Sequence, residues 1–261
     1  MPDPSPVATL SLAGEAHDPE AFARALGASF ERDGFAIVSD PGIPPALISR
    51  AEEAARAFFA LPDAAKRAYH LPGTGGARGY TPFGTEAAKG AREADLKEFW
   101  HVGRELRAGH PLAATMAPNI WPVEIAGFRE AMLDLFAAFD AGGARLLAAI
   151  ARYLGLAADW FVEPVRDGNS VLRLLRYPSL SAHPTGLRAA PHEDINAITL
   201  LLGAEEAGLE LLDRRGRWRP VAPAQGELVV NVGDMLQRLT NNSLRSTTHR
   251  VRNPAPERRA H

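Results

Sequence analysis

A mainly β protein with a helical N-terminal half is the fold class that this 261-residue sequence predicts. Three observations lead there. Before Gly168 the apolar residues recur at helical spacing over long stretches; after it they come in short runs between turn clusters. Nowhere do strand and helix patterns alternate as in a doubly wound fold.

In the first half, "DPEAFARALGASFERDG" predicts a helix. Asp18 is placed to cap it, Pro19 stands at its first position, and apolar residues fall at 22, 26 and 30 before Gly34 stops it. "FAIVSD" follows as a short strand. Pro44 or Pro45 opens a second helix, "PALISRAEEAARAFFAL", which ends before Pro62. Residues 72–92 are rich in Gly, Thr and Pro and predict a loop around a short strand near Tyr80. "DLKEFWHVG" reads as a strand, and the longest helical pattern runs from Val123 to Leu154, with a kink expected at Gly142-Gly143. In the second half, the apolar runs 170–177, 196–202, 209–212, 217–221, 227–232 and 247–251 predict a sandwich or barrel. "APHEDINAITLLL" (190–202) reads as one extended segment whose apolar part is buried.

Composition narrows the function. A net charge of -2 gives no electrostatic argument for nucleic acid or an acidic membrane surface. No apolar run approaches the ~20 residues of a membrane span, and the N-terminus lacks the basic and apolar regions of a signal peptide, so the expected compartment is the cytoplasm. With no cysteine, disulfides and thiolate chemistry are excluded; a metal would be held by imidazole, carboxylate or water.

The candidate metal ligands begin at the mouth of that extended segment. His192 and Asp194 stand two apart, so on a strand they share a face, and Glu193 points the other way as a spacer or surface charge. His-x-Asp alone is weak, because eight His and thirteen Asp in this length would give about 0.4 such triplets by chance. His249 in "RSTTHRV" supplies a third donor at the start of another strand. Two imidazoles and one carboxylate leave coordination positions open, which suits non-haem Fe(II) and oxygen chemistry. The competing reading is a hydrogen-bonded His–Asp pair at a strand end.

"PHEDINAITLLL" together with "GDMLQRLTNNSLRSTTHRV" resembles the isopenicillin N synthase-like family of Fe(II)- and 2-oxoglutarate-dependent dioxygenases. "ASFERDGFAIVSDPGIPPALI", "ARAFFALPDAAKRAY", "RGYTPFGTE" and "DLKEFW" resemble its earlier segments in order, so the likeness runs from about residue 22 to 254. The resemblance implies a double-stranded β-helix (jelly-roll) core over 169–261, a supporting region over 1–168, and one catalytic unit. It makes His192, Asp194 and His249 the iron ligands and catalytic centre, with Fe(II), 2-oxoglutarate and O2 as cofactor and cosubstrates. The activity implied is hydroxylation, desaturation or cyclisation of a small molecule. Two alternatives stay open: an oxidase like isopenicillin N synthase that uses no 2-oxoglutarate, and a non-catalytic ligand-binding member.

Other site residues follow by the same resemblance. In "SVLRLLRYPSL", Tyr177 matches a Tyr that faces the metal cavity and bonds a carboxylate of cosubstrate or substrate. Strand alternation puts Arg173 on the face of Tyr177, and with Lys97 and Arg78 it raises the expectation of an acidic substrate. Asn241 and Asn242 are expected to cap a turn. The family's Arg-x-Ser pair, which binds 2-oxoglutarate, is absent from "RVRNPAPERRAH"; Arg259 is a weak substitute, and the favoured expectation is that the natural chain continues. Oligomeric state is not readable.

Overall fold

In a computed structural model of the chain, residues 6–88, 90, 93–179, 184–203 and 208–254 are described. The protein forms two compact units: Met1–Gly42, Gly142–Phe161 and Leu187–His261 make the first, Ile43–Ala141 and Val162–Gly186 the second.

The first unit is a two-sheet sandwich. One sheet contains β1 (Thr9–Ser11), β2 (Phe35–Ser39), β7 (Ile198–Leu202) and β10 (Leu228–Val232) in the order β1-β2-β10-β7. The other contains β6 (Ala189–His192), β8 (Leu209–Leu212), β9 (Trp218–Pro220) and β11 (His249–Val251) in the order β6-β11-β8-β9, antiparallel throughout. Phe35, Ile37 and Val229 of the first sheet and Leu211 of the second pack into one buried cluster, so the core lies between the sheets.

Helix α1 (Leu12–Glu15) is one turn; α2 (Pro19–Asp33) begins and ends as its sequence demands. Asp18 Oδ1 accepts from the Ala21 N–H at 2.8 Å, and Gly34 closes the helix at φ 70°. A Cβ on Gly34 would meet Thr247 Oγ1 at 2.3 Å and the Arg245 carbonyl at 2.4 Å, so glycine is required there twice over. Helix α7 (Asp234–Leu239) follows β10, and Asn241 and Asn242 adopt left-handed φ of 51° and 64° just after it, as expected of a cap.

The second unit holds α3 (Pro45–Phe59), α4 (Asp63–Arg67), α6 (Val162–Val165) and a sheet of β3 (Gly79–Thr81), β4 (Glu98–Gly103) and β5 (Val171–Arg176). Helix α5 (Phe128–Tyr153) contributes to both units and continues through Gly142 and Gly143. Phe58, Trp100 and Phe128 are fully buried in an aromatic core, with Phe58 and Trp100 edge-to-face at 4.6 Å. No helix among the described residues is long and apolar enough to cross a membrane.

Three sequence expectations need correction. A helical half followed by a β half does not describe these units: β1 and β2 belong to the sandwich, while β5 pairs with β4 in the other unit. Pairing between residues far apart in sequence decides this, and local periodicity does not see it. "APHEDINAITLLL" is not one strand, because β6 stops at His192 and β7 starts at Ile198 in the other sheet. Nor is β7 buried; among the described residues it is the end strand of its sheet and half-buried throughout, whereas central β10 is buried along its length.

Candidate metal centre

The two histidines meet through strand register. β6 and β11 are antiparallel neighbours in which His192 and His249 stand directly opposite one another. Their ring centroids are 4.3 Å apart. The pairing then shifts, with Val251 opposite Ala189, so β6 carries a bulge containing Pro191. Pro191 has no N–H to give a ladder, and an edge strand with a bulge is where a proline fits.

Asp194 comes from the loop between β6 and β7, not from a strand. The loop is pinned to the β10–α7 junction: the Asp234 N–H donates to the Asp194 carbonyl at 2.7 Å, and the Gly233 N–H to the Ala197 carbonyl at 2.9 Å. A Cβ on Gly233 would lie 2.2 Å from the Asn196 carbonyl, so only glycine permits this approach. Glu193 points elsewhere, as its position in the sequence suggests; its carboxylate accepts from Thr248 Oγ1 at 2.8 Å.

Each of the three side chains has one polar atom tied and one left over. His192 Nδ1 donates to the Ala190 carbonyl at 2.8 Å and His249 Nδ1 to the Thr247 carbonyl at 3.1 Å, which leaves Nε2 of each with a lone pair. Asp194 Oδ2 accepts from Asn231 Nδ2 at 2.8 Å and from Thr199 Oγ1. Asp194 Oδ1 remains, 3.8 Å from His192 Nε2 and 3.9 Å from His249 Nε2. These separations are too long for hydrogen bonds, so the competing reading of a bonded His–Asp pair does not describe the geometry. Ligand atoms of all three residues lie within 4.8 Å of one another, the only such group of three among the described residues. A donor set of two neutral imidazoles and a carboxylate, each held by a second hydrogen bond, fits a divalent first-row metal.

The electrostatics favour the ligating forms of Asp194 and His249. Burial pushes the Asp194 carboxyl up, but the charge of His249, the hydrogen bonds from Asn231 and Thr199, and His192 outweigh it and hold it below its usual range. Burial foremost, with help from His192, pushes His249 down despite Asp194.

Arg78, Lys97, Arg173 and Tyr177 lie in the second unit. Arg78 is 2 % exposed; its guanidinium bonds the Ala77 carbonyl and Asn169 Oδ1 and occupies the space where Gly103 lacks a Cβ. Buried Lys97 bridges Glu86 and Asp95, at 2.7 Å each. Arg173 spans Glu86 and His101 over the Phe99 ring. All three cations are engaged within the protein. Tyr177, just after β5, is half-buried. Arg259 lies outside the described residues. A cavity of about 370 Å³ in this unit is lined by His70, Gly76, Thr81, Glu86 and Phe99 among others.

Asn231, Thr199 and Phe35 escaped the sequence reading. They form a single cross-strand row, with Asn231 opposite both Phe35 on β2 and Thr199 on β7. Phe35 stands edge-on to His249 at 5.5 Å. The available signal was a polar residue inside an apolar strand, Asn231 in "LVVNV" and Thr199 in "ITLLL".

A β-sandwich presenting two imidazoles and one carboxylate defines a mononuclear non-haem metal protein of the jelly-roll class. Residues 6–124 match the family model of the N-terminal region of non-haem dioxygenases in morphine synthesis, and residues 168–260 match that of the 2OG-Fe(II) oxygenase superfamily. Proline hydroxylase buaE of Petromyces alliaceus is 38% identical over 248 residues, covering 90% of this chain and 76% of that one. The 2-oxoglutarate-Fe(II) type oxidoreductase hxnY of Emericella nidulans is 32% identical, over 88% and 69%. Among solved structures, a Caulobacter crescentus protein assigned to the 2OG-Fe(II) oxygenase family superposes with TM-score 0.90 at 55% identity, covering 97% and 82%. A full-length Neurospora crassa protein solved in complex with alpha-KG superposes with TM-score 0.85 at 28% identity, covering 97% and 81%. The chain belongs to the 2OG-Fe(II) oxygenase superfamily, as the resemblance in its sequence implied.

Proposed function

We propose that this protein is an Fe(II)- and 2-oxoglutarate-dependent oxygenase that oxidises a C–H bond of a small molecule, with His192, Asp194 and His249 as the iron ligands and the chain working as one catalytic unit. The carrying observation is the convergence of His192 Nε2, Asp194 Oδ1 and His249 Nε2 while their other polar atoms are tied elsewhere. When bound, Fe(II) with O2 and 2-oxoglutarate supplies the oxidising power: the cosubstrate leaves as succinate and CO2, and in a hydroxylation the second oxygen atom enters the substrate.

The chain's own residues do the rest. Ala190 and Thr247 carbonyls fix the imidazole tautomers, and Asn231 and Thr199 orient the carboxylate. Phe35 buttresses His249 from the apolar side. Tyr177 is assigned to bonding a carboxylate of cosubstrate or substrate. The relatives named after 2-oxoglutarate favour its use here over the oxidase reading.

The test is anaerobic calorimetry of the Fe(II)-loaded protein with 2-oxoglutarate, followed by measurement of succinate release in air. Specific binding and Fe(II)-dependent succinate are expected even without the prime substrate. Absence of both from an iron-loaded preparation would overturn the reading.

A further inference from the structure

We propose that Asn231 and Thr199 are positioning residues that make Asp194 a one-oxygen ligand and so keep coordination positions open for 2-oxoglutarate and O2. The inference rests on the iron and 2-oxoglutarate reading above. A carboxylate beside a metal can bind through one oxygen or through both. With three protein donors, a second Asp194 oxygen would take one of the positions that a chelating cosubstrate and O2 require.

The structure holds the second oxygen back. Asp194 Oδ2 receives two donors, Asn231 Nδ2 at 2.8 Å and Thr199 Oγ1, while Oδ1 has neither and points at both imidazoles. The donors are rigidly placed. Asn231 is 3 % exposed on the central strand β10, and Thr199 is its direct cross-strand partner on β7, so both project from the same face. Thr199 is itself oriented, because its Oγ1 accepts from Asn196 Nδ2 at 2.9 Å and spends its own proton on Asp194. Asn196 sits against Gly233, where no side chain fits. A chain of contacts thus runs from the β10–α7 junction to one carboxylate oxygen.

A device that only strengthened metal binding and one that preserves open positions predict different losses. Thr199→Val and the double variant Thr199→Val/Asn231→Leu remove the donors at nearly constant volume. Mn(II) affinity is measured first, by calorimetry on the metal-free protein; 2-oxoglutarate affinity is then measured on the Mn(II)-loaded protein. With the second oxygen freed to bind, Mn(II) affinity should change by no more than about threefold, while 2-oxoglutarate affinity falls about tenfold or more in the double variant. Thr199→Ser, which keeps the hydroxyl, should restore 2-oxoglutarate binding. Cooperative thermal unfolding of each variant establishes that it is folded, and Thr199→Val alone carries the test if the double variant is not.

Unchanged 2-oxoglutarate affinity in a folded variant would overturn the proposal. So would a loss of Mn(II) affinity in the ten- to hundredfold range usual for a supporting hydrogen bond. If the unaltered protein binds Mn(II) but not 2-oxoglutarate, the functional reading itself falls, and this inference with it.

Discussion

Asp194 meets two demands with one side chain, since one oxygen is spent on Asn231 and Thr199 and the other faces the imidazoles. Removing it separates the demands. Asp194→Ala should lower Mn(II) or Fe(II) affinity by at least about a hundredfold and abolish succinate release. The metal-free variant should fold with reduced stability, because leaving the Asn231 and Thr199 donors unpaired costs about 1–3 kcal/mol for each. Calorimetry and a urea titration of the same preparation check both halves. Survival of metal binding would remove Asp194 from the ligand set. At this scale the sequence was informative: His192, Asp194 and His249 stood out because titratable groups at the mouths of apolar strands need a reason. Asn231 did not, because a single amide in a strand has many bland explanations until its partner is seen.

Elements fail in more distinctive ways. Gly34 ends α2 with a positive φ and lies against the segment that leads into His249, so Gly34→Ala meets both backbone strain and a 2.3 Å clash with Thr247. A loss of about 2–4 kcal/mol is expected, with weakened metal affinity as the strand carrying His249 shifts. Denaturant midpoints and calorimetry check it; metal affinity unchanged at reduced stability would confine the glycine's role to the helix end. On β4, His101 is held neutral by its neighbours: its Nε2 accepts from Arg173 Nε at 2.6 Å and its Nδ1 faces the Gly76 carbonyl. Burial first, then the Arg173 charge, push its pKa from 6.5 down to about 4. Between those values the unfolded chain takes up a proton that the folded chain refuses, so stability falls as pH drops, by on the order of 3 kcal/mol across the window. Glu86 and Glu98, both lowered, lose their contribution only as pH falls through the carboxylate range. Urea midpoints between pH 5 and 6.5 therefore isolate the histidines, and His101→Gln should flatten that slope without abolishing it, because buried His249 titrates in the same sense.

For the whole molecule, the proposed metal ligands span residues 192 to 249 and all fall within one compact unit. Metal at about a hundred times its dissociation constant should stabilise the folded chain by about 2.7 kcal/mol, reversed by a chelator. Hydrogen exchange should slow most at 189–202 and 228–251, where the ligands and their supports lie. Slowing confined to α3 and α4 would place the metal elsewhere. At the same metal concentration the shift for Asp194→Ala should fall to about 0.4 kcal/mol or less.

Local elements and the donor types of the candidate centre could be read from the residues in order along the chain. Asp18, Pro19 and Gly34 bounded α2 because capping and left-handed φ are local requirements, and five of the six apolar runs after Gly168 became strands of the sandwich. The cysteine-free His–Asp–His set was legible because donor type restricts the metal. Partnership between distant segments emerged with the fold. It took β5 out of the sandwich, brought β1 and β2 into it, and split one apolar segment between two sheets. It also paired Arg173 and Lys97 with Glu86 and seated Arg78 against Gly103. The physical reason is common to all of these: a residue's pattern reports which face it prefers, whereas register and charge pairing depend on residues far along the chain, which meet only when it folds.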